Sequence, residues 1–171
     1  GGAAIIITGG FTPHWSGWLA PFSSKLTNMK EAKNHEILTE AVHKEGGHLV
    51  LQILHAGRYG YHPFCLAPSA IKSPISPFKP WALPKFAIKW TIQSYIKCAK
   101  LAKQAGYDGV EIMGSEGYLI NQFLVSHTNK RKDCWGGSFS NRMRLALEIV
   151  QGIRESLGES FLIIFRISVM D

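Results

Sequence analysis

The chain has 171 residues, of which 46% are hydrophobic and 18% are charged, and its formal net charge is +7 at pH 7. This composition excludes a wholly disordered protein, and no apolar run reaches the ~18 residues that a membrane-spanning helix needs. The basic residues are not interleaved with aromatic residues in the manner of RNA-binding proteins. We therefore expect neither a membrane protein nor a nucleic-acid-binding protein.

Taken in chain order, short apolar segments predict strands and longer amphipathic segments predict helices. The predicted elements are a strand at 4–7, a helix at 31–45, a strand at 49–53, a helix at 87–105, a strand at 110–113, a helix at 140–157 and a strand at 161–167. Each helical pattern stops at a glycine, which is a typical end signal. The alternation of strands and helices implies a parallel sheet with right-handed crossovers.

Residues 59–84 form the one long irregular connection and contain six of the eight prolines. A loop of this length usually has a function or covers a site. Four βα units are half of an eight-stranded barrel, which typically has about 250 residues. An open flavodoxin-like sheet is the alternative, but Gly9-Gly10 is not the glycine-rich fingerprint of its nucleotide-binding versions. We predict an α/β fold, a partial (β/α)8 TIM barrel of about four βα units.

The cysteines and histidines show no metal-binding pattern. Cys65, Cys98 and Cys134 are odd in number and lie more than 30 residues apart, and the histidines form neither HxxxH nor HExxH. This spacing also argues against a secreted disulfide framework, so we expect reduced thiols in a cytoplasmic protein without a metal. Because the chain begins at Gly1 without a Met or a leader pattern, we expect it to be a piece of a longer protein.

Residues 107–124 carry the strongest functional signal in the chain. The apolar run at 110–113 stops at a glycine-containing loop that carries Ser115, Glu116 and Tyr118. A parallel barrel presents its chemistry at the carboxyl ends of buried strands, where polar side chains follow the apolar run. This loop is therefore our candidate for an active site.

Several separated motifs resemble, in order, those of the old yellow enzyme family of FMN oxidoreductases. They are QILHAGR at 52–58, the segment at 107–124, Thr128-Asn129, DCWGGS at 133–138 and Asn141-Arg142. Within the family, MGSEGY at 113–118 and HAGRY at 55–59 are most similar to bacterial-type NADPH-dependent 2,4-dienoyl-CoA reductases. The resemblance covers essentially all of residues 1–171 and implies that they form strands two to five of an FMN-binding barrel domain.

The resemblance implies reduction of a conjugated C=C bond of 2,4-dienoyl-CoA, with FMN bound over the strand ends and NADPH as the ultimate donor. The full-length reductases also hold FAD and a 4Fe-4S cluster, whose sites are absent from this chain. The alternatives are another ene-reductase or amine dehydrogenase of the family, or a non-catalytic fragment or scaffold that lacks a complete flavin site. Since half a closed sheet leaves two unpaired edges, we expect self-association or association with the missing half of the barrel.

Three residues match flavin contacts of the family. Gln52 ends a predicted strand, and its amide can donate to and accept from the pyrimidine edge of a flavin, although capping of backbone groups is the alternative. Arg166 is a charge on an apolar strand, suited either to an anionic reduced flavin or to a structural pair with a carboxylate. Gly10 permits close backbone approach to a ligand, and a plain turn is its alternative.

Tyr118 matches the proton donor of the dienoyl-CoA reductases. A phenol has a reference pKa of about 10 and is protonated at neutral pH, although packing is the alternative role. Glu116 and His127 are the expected substrate contacts. Glu116 would orient the acyl group or the acid, with a solvated carboxylate as the alternative, and His127 would replace an Arg of the subfamily as a weaker, pH-dependent contact. Met113 cannot donate the hydrogen bond that simple ene-reductases use at its position, which favours the dienoyl-CoA reading.

Overall fold

Residues 2–168, the part of the chain described by the computed structural model, form a four-stranded parallel sheet flanked by helices. In chain order the elements are β1 (Ile5–Phe11), α1 (Met29–Lys44), β2 (His48–Ile53), β3 (Leu66–Ala67), β4 (Trp81–Ala82), α2 (Lys85–Gln104), β5 (Gly109–Gly114), α3 (Leu119–Leu124), α4 (Phe139–Leu157) and β6 (Leu162–Ile167), with 3-10 turns at Trp15–Gly17 and Gly57–Tyr59. The strand order is β1-β2-β5-β6 and every neighbouring pair is parallel. Successive βα units of a barrel have this arrangement.

The first strand is longer than predicted, and it is irregular. β1 runs on to Phe11, and its register against β2 shifts between Ile7 and Gly10. At the shift, the Thr8 side-chain oxygen accepts a hydrogen bond of 3.1 Å from the backbone N–H of Gln52. The side chain thus replaces a backbone acceptor, and the strand continues far enough to bring Gly10 beside Gln52.

The structure adds a two-stranded ladder and a short helix, neither of which is predicted from the sequence. Within the stretch at 59–84, β3 and β4 form a short parallel ladder, extended by hydrogen bonds of 2.9 Å from Trp81 N–H to the Cys65 carbonyl and from Leu83 N–H to the Ala67 carbonyl. The six-residue helix α3 directly follows the candidate active-site loop. β3 contacts the 3-10 turn at Gly57–Tyr59, and neither the ladder nor α3 belongs to the main sheet.

The core lies between the sheet and its helices, with β2 and β5 at its centre. α2 packs against β2 and β5, and α4 packs against α2 and α3. Every residue of β5 is buried, as expected for an inner strand of a parallel sheet. The outer strand β1, in contrast, exposes Ile5, Ile6 and Ile7 by 40–48% of their surface. Apolar side chains at this level of exposure mark a surface that gains stability when it is covered.

The described residues were also compared with the requirements of a membrane span, a metal site and a reactive thiol. No helix within residues 2–168 has the length and apolar character that a membrane crossing requires. The same residues contain no group of three or more His, Cys, Asp or Glu side chains placed to hold a metal ion. Cys65 and Cys98 are buried, and burial raises the pKa of both thiols, which makes them poor nucleophiles.

Asp108, in the turn before β5, ties the start of that strand to β2 and α1. Its carboxylate accepts a hydrogen bond of 2.8 Å from the backbone N–H of Leu49, and it lies 2.9 Å from His43 Nε2 and 3.1 Å from His48 Nδ1. Burial would raise the pKa of this carboxyl, but these hydrogen bonds outweigh burial and lower the pKa to about 2. The ionised carboxylate is therefore the form that the fold stabilises.

We expect Asp108→Ala to lower the free energy of unfolding by about 1–3 kcal/mol, because the Leu49 N–H loses its acceptor. The ionised carboxylate should contribute fully to the free energy of unfolding above its unfolded pKa of 3.8. This contribution should be lost as the pH falls toward the folded pKa of about 2. Urea denaturation of both proteins at pH 7 and pH 3 measures the difference. A difference of equal size at the two pH values would contradict the linkage.

Candidate functional site

A cleft of about 470 Å³ opens where β1, β2 and β5 end. Of the predicted site residues, Gly10, Gln52, Glu116 and Tyr118 line it together with Met113. A cleft at the carboxyl ends of parallel strands is the usual ligand position in α/β folds. The structure therefore brings four of the six predicted site residues to one place.

Gln52 lies near the end of β2 and is 9% exposed. Its side-chain nitrogen Nε2 donates a hydrogen bond of 2.6 Å to Oε1 of Glu111, its register partner on β5. Glu111 is itself only 3% exposed, and it was not predicted as a site residue because it lies inside the apolar run at 110–113. A Glu within an apolar strand could have indicated this pair, because an acidic side chain is rarely buried without a polar partner.

Gly10 packs directly against the neighbouring strand. A Cβ atom at this position would lie 2.8 Å from the Cβ of Leu54 and 3.1 Å from Oε1 of Gln52. The absence of a side chain is therefore required for the close approach of β1 to β2 beside the cleft. Direct contact of Gly10 with a flavin remains a prediction.

Arg166 forms an ion pair with Glu116, which lines the cleft, but Arg166 itself is not among the lining residues. Arg166 lies opposite Met113 in the β5–β6 register, and its guanidinium nitrogen is 3.2 Å from Oε1 of Glu116. Both side chains are about half exposed, so the pair contributes little to stability. The carboxylate-pair alternative for Arg166 is present in this structure, whereas its contact with a flavin stays a prediction.

Tyr118 is the residue directly before α3; its side chain makes no capping hydrogen bond to the helix and instead lines the cleft. Its ring meets the ring of Tyr59 edge to face, with centroids 5.8 Å apart. Partial burial, the neighbouring Glu116 carboxylate and Tyr59 all raise the pKa of the Tyr118 phenol above its ordinary value of 10. Tyr118 therefore holds its proton throughout the neutral pH range.

Gln122 on α3 braces the loop that carries Tyr118, and the sequence analysis did not identify it. Its buried Nε2 donates to the carbonyl of Gly117 at 2.6 Å and to that of Ala56 at 3.2 Å. Its Oε1 accepts a hydrogen bond of 3.1 Å from the backbone N–H of Arg58. One amide thus joins the loop after β5 to the loop after β2.

His127 was predicted to contact the substrate, but it lies away from the cleft. It is exposed in the turn that follows α3 and is not among the residues lining the cleft. The adjacent Thr128 and Asn129 are buried, and Asn129 Nδ2 donates hydrogen bonds of 2.8 Å to the carbonyls of Phe123 and Trp135. The turn is therefore well anchored, and a role for His127 in substrate binding stays a prediction.

Comparison with known sequences places the chain among flavin oxidoreductases. A family model described as "NADH:flavin oxidoreductase / NADH oxidase family" matches residues 1–171. The chain is 39% identical to the metal reductase of Desulforamulus reducens, with 100% of the chain and 26% of that protein covered. It is 34% identical to the NADPH dehydrogenase of Listeria welshimeri, with 100% of the chain and 50% of that protein covered. The chain thus spans about a quarter to a half of the length of these relatives.

Solved structures show the same fold. Morphinone reductase superposes with a TM-score of 0.90 at 29% identity, covering 95% of this chain and 49% of that one. A complex of 2-naphthoyl-CoA reductase with 2-naphthoyl-CoA superposes with a TM-score of 0.89 at 32% identity, covering 95% of this chain and 27% of that one. The prediction of a partial TIM barrel is confirmed by these matches.

Proposed function

The chain belongs to the NADH:flavin oxidoreductase / NADH oxidase family, and we propose that the protein containing it is an FMN-dependent oxidoreductase that takes electrons from NADH or NADPH. The predicted resemblance to old yellow enzymes is confirmed by the family match and by the likeness to morphinone reductase. The observation that carries the proposal is the convergence of Gly10, Gln52, Glu116 and Tyr118 on one cleft at the strand ends.

The residues of the cleft fit a flavin. Gln52 directs Oε1 toward Gly10 at the cleft, while its nitrogen is held by Glu111, so an acceptor is presented to a ligand N–H. The flavin pyrimidine edge carries such an N–H between two carbonyl groups. Arg166, which pairs with Glu116 of the cleft, would supply a cation that stabilises an anionic reduced flavin. When bound, FMN would supply hydride transfer.

The residues of this chain would bind, orient and protonate. Gln52 and Gly10 would hold the pyrimidine side of the cofactor, and Tyr118 would keep a proton on its phenol oxygen beside the substrate. The raised pKa of Tyr118 favours the protonated form that a general acid needs. Glu116 would orient Tyr118 or the acyl group, since the two residues share one loop and one cleft.

For the substrate, we propose a conjugated acyl-CoA thioester such as 2,4-dienoyl-CoA. Met113 supports this choice because its thioether lines the cleft where a hydrogen-bond donor to a simple enone carbonyl would be needed. The likeness to 2-naphthoyl-CoA reductase, whose name specifies a CoA thioester, supports it as well. FAD, a 4Fe-4S cluster and a cytoplasmic location belong to this proposal, with the two cofactors bound by polypeptide outside this chain. A smaller ene-reductase is the second candidate, because morphinone reductase and the NADPH dehydrogenase are similarly related.

We also propose that the open strands are covered in the working protein. β1 and β6 are the outer strands of the sheet, and β1 exposes three consecutive isoleucines. The remaining strands of the barrel, or a second copy of this chain, would pair with these edges. Either arrangement would enclose the cleft further and exclude water from it.

The binding proposal is tested by titrating FMN with the full polypeptide that contains this chain and following flavin fluorescence. We expect saturable quenching, and we expect Gln52→Ala and Arg166→Ala each to raise the Kd about tenfold or more, as for loss of one hydrogen bond to the cofactor. Gln104→Ala, at the exposed end of α2, is the matched control and should bind like the wild type. Absence of quenching by the wild-type protein would refute the proposed function.

A further inference from the structure

Glu111 and Gln52 face each other across the β2–β5 pair at the edge of the cleft. They are register partners, and Gln52 Nε2 donates to Glu111 Oε1 at 2.6 Å. Glu111 is 3% exposed and Gln52 is 9% exposed. Because water has little access to either group, water competes little with this hydrogen bond, and the bond restrains the amide.

The two ends of a glutamine amide have nearly the same shape, so packing alone does not decide which end faces a ligand. A carboxylate oxygen accepts hydrogen bonds, and the amide nitrogen must therefore face Glu111. The amide oxygen is then turned the other way, and it lies 3.1 Å from where a Cβ of Gly10 would be. The hydrogen bond to Glu111 thus leaves the acceptor oxygen of Gln52, and not its N–H donors, facing the cleft.

We infer that Glu111 is a positioning residue, which locks the Gln52 amide with its oxygen toward the cleft so that the site accepts the ring N–H of a flavin pyrimidine edge. The inference rests on the proposed function, since it concerns how the same cleft selects its cofactor. With the amide reversed, an N–H donor of Gln52 would face the ring N–H donor of the flavin, and no hydrogen bond could form between them. Glu111 acts only through Gln52 in this account and does not touch the cofactor.

The test is a double-mutant cycle on FMN affinity in the full polypeptide. Glu111→Met removes the acceptor at similar volume, and we expect the Kd for FMN to rise about tenfold. Glu111→Gln retains an acceptor oxygen and should stay within about twofold of the wild type. Because Glu111 works through Gln52, the double variant Gln52→Met/Glu111→Met should bind FMN no more weakly than Gln52→Met alone.

Unchanged affinity in Glu111→Met, or losses that add in the double variant, would overturn the inference while leaving the proposed function intact. A wild-type protein that does not bind FMN would overturn both. If Glu111→Met does not fold, the restraint is measured in the wild-type apoprotein labelled with 15N-glutamine. The side-chain amide protons of Gln52, assigned by their loss in Gln52→Met, should exchange slowly, and exchange at the rate of a free amide would overturn the inference.

Discussion

Replacing Tyr118, the proposed general acid, with phenylalanine is expected to lower the turnover of the proposed flavoenzyme about 10²- to 10⁴-fold, the range that a general acid contributes. Phenylalanine keeps the ring that packs edge to face on Tyr59 and removes only the hydroxyl at the cleft. The loss should therefore be confined to protonation of the substrate. In rapid-reaction measurements, flavin reduction by NADPH should keep its wild-type rate, and flavin reoxidation by 2,4-dienoyl-CoA should slow.

The matched control is Tyr61→Phe, which makes the same chemical change at a tyrosine that is 56% exposed and does not line the cleft. We expect both half-reactions of this variant to match the wild type. Equal slowing of flavin reduction and reoxidation in Tyr118→Phe would indicate a damaged site rather than a missing acid. Unaltered turnover in Tyr118→Phe would remove Tyr118 from the mechanism.

The proposed role of Tyr118 also predicts how the reaction depends on pH. Partial burial, and then the charges of Glu116 and Tyr59, raise the pKa of the Tyr118 phenol above 10. A general acid works only in its protonated form, so the rate of flavin reoxidation should be level through neutral pH and fall only above about pH 10. A fall in the neutral range would assign the acid to a different group.

The main sheet was predictable because its signals are local. Four apolar runs predict the strands. The helices α1 and α4 end shortly before Gly46 and Gly158, where φ is 73° and 79°. Such positive φ values favour glycine, so a glycine in the sequence predicts the end of each of these helices. The beginning of α1 was placed two residues late, because the cap at Asn28, which accepts a hydrogen bond of 3.0 Å from Glu31 N–H, is a polar residue outside the apolar pattern.

The missed parts of the molecule depend on contacts that the local pattern does not record. The β3–β4 ladder consists of backbone hydrogen bonds between four residues, among prolines that suggest only a loop. α3 is six residues long, too short for a helical period to be distinguished. Glu111 and Gln122 act through partners 59 and 66 residues away in the chain, and a single sequence does not show such pairs.

Gln122→Met is expected to lower the free energy of unfolding by about 2–5 kcal/mol. Methionine fills the same volume but leaves the Arg58 N–H and the Gly117 carbonyl without the bonds of 3.1 Å and 2.6 Å that Gln122 provides. Both backbone groups are partly buried, and each costs about 1–3 kcal/mol when it is left unpaired. The Ala56 carbonyl keeps a hydrogen bond of 3.2 Å from Tyr59 N–H and adds little to the loss. Urea denaturation of the two proteins measures the difference.

Gln151→Met supplies the control, because Gln151 is an exposed glutamine on α4 whose bond of 2.7 Å to Glu155 lies at the surface. Its unfolding free energy should stay within about 0.5 kcal/mol of the wild type. Hydrogen exchange then separates a loosened loop from a generally weaker fold. If Gln122 is a brace, amides at 56–58 and 115–118 should lose protection first in Gln122→Met, while those of β2 and β5 keep it. Uniform loss of protection would mean that Gln122 supports the core as a whole, and that the loop carrying Tyr118 is held by its other contacts.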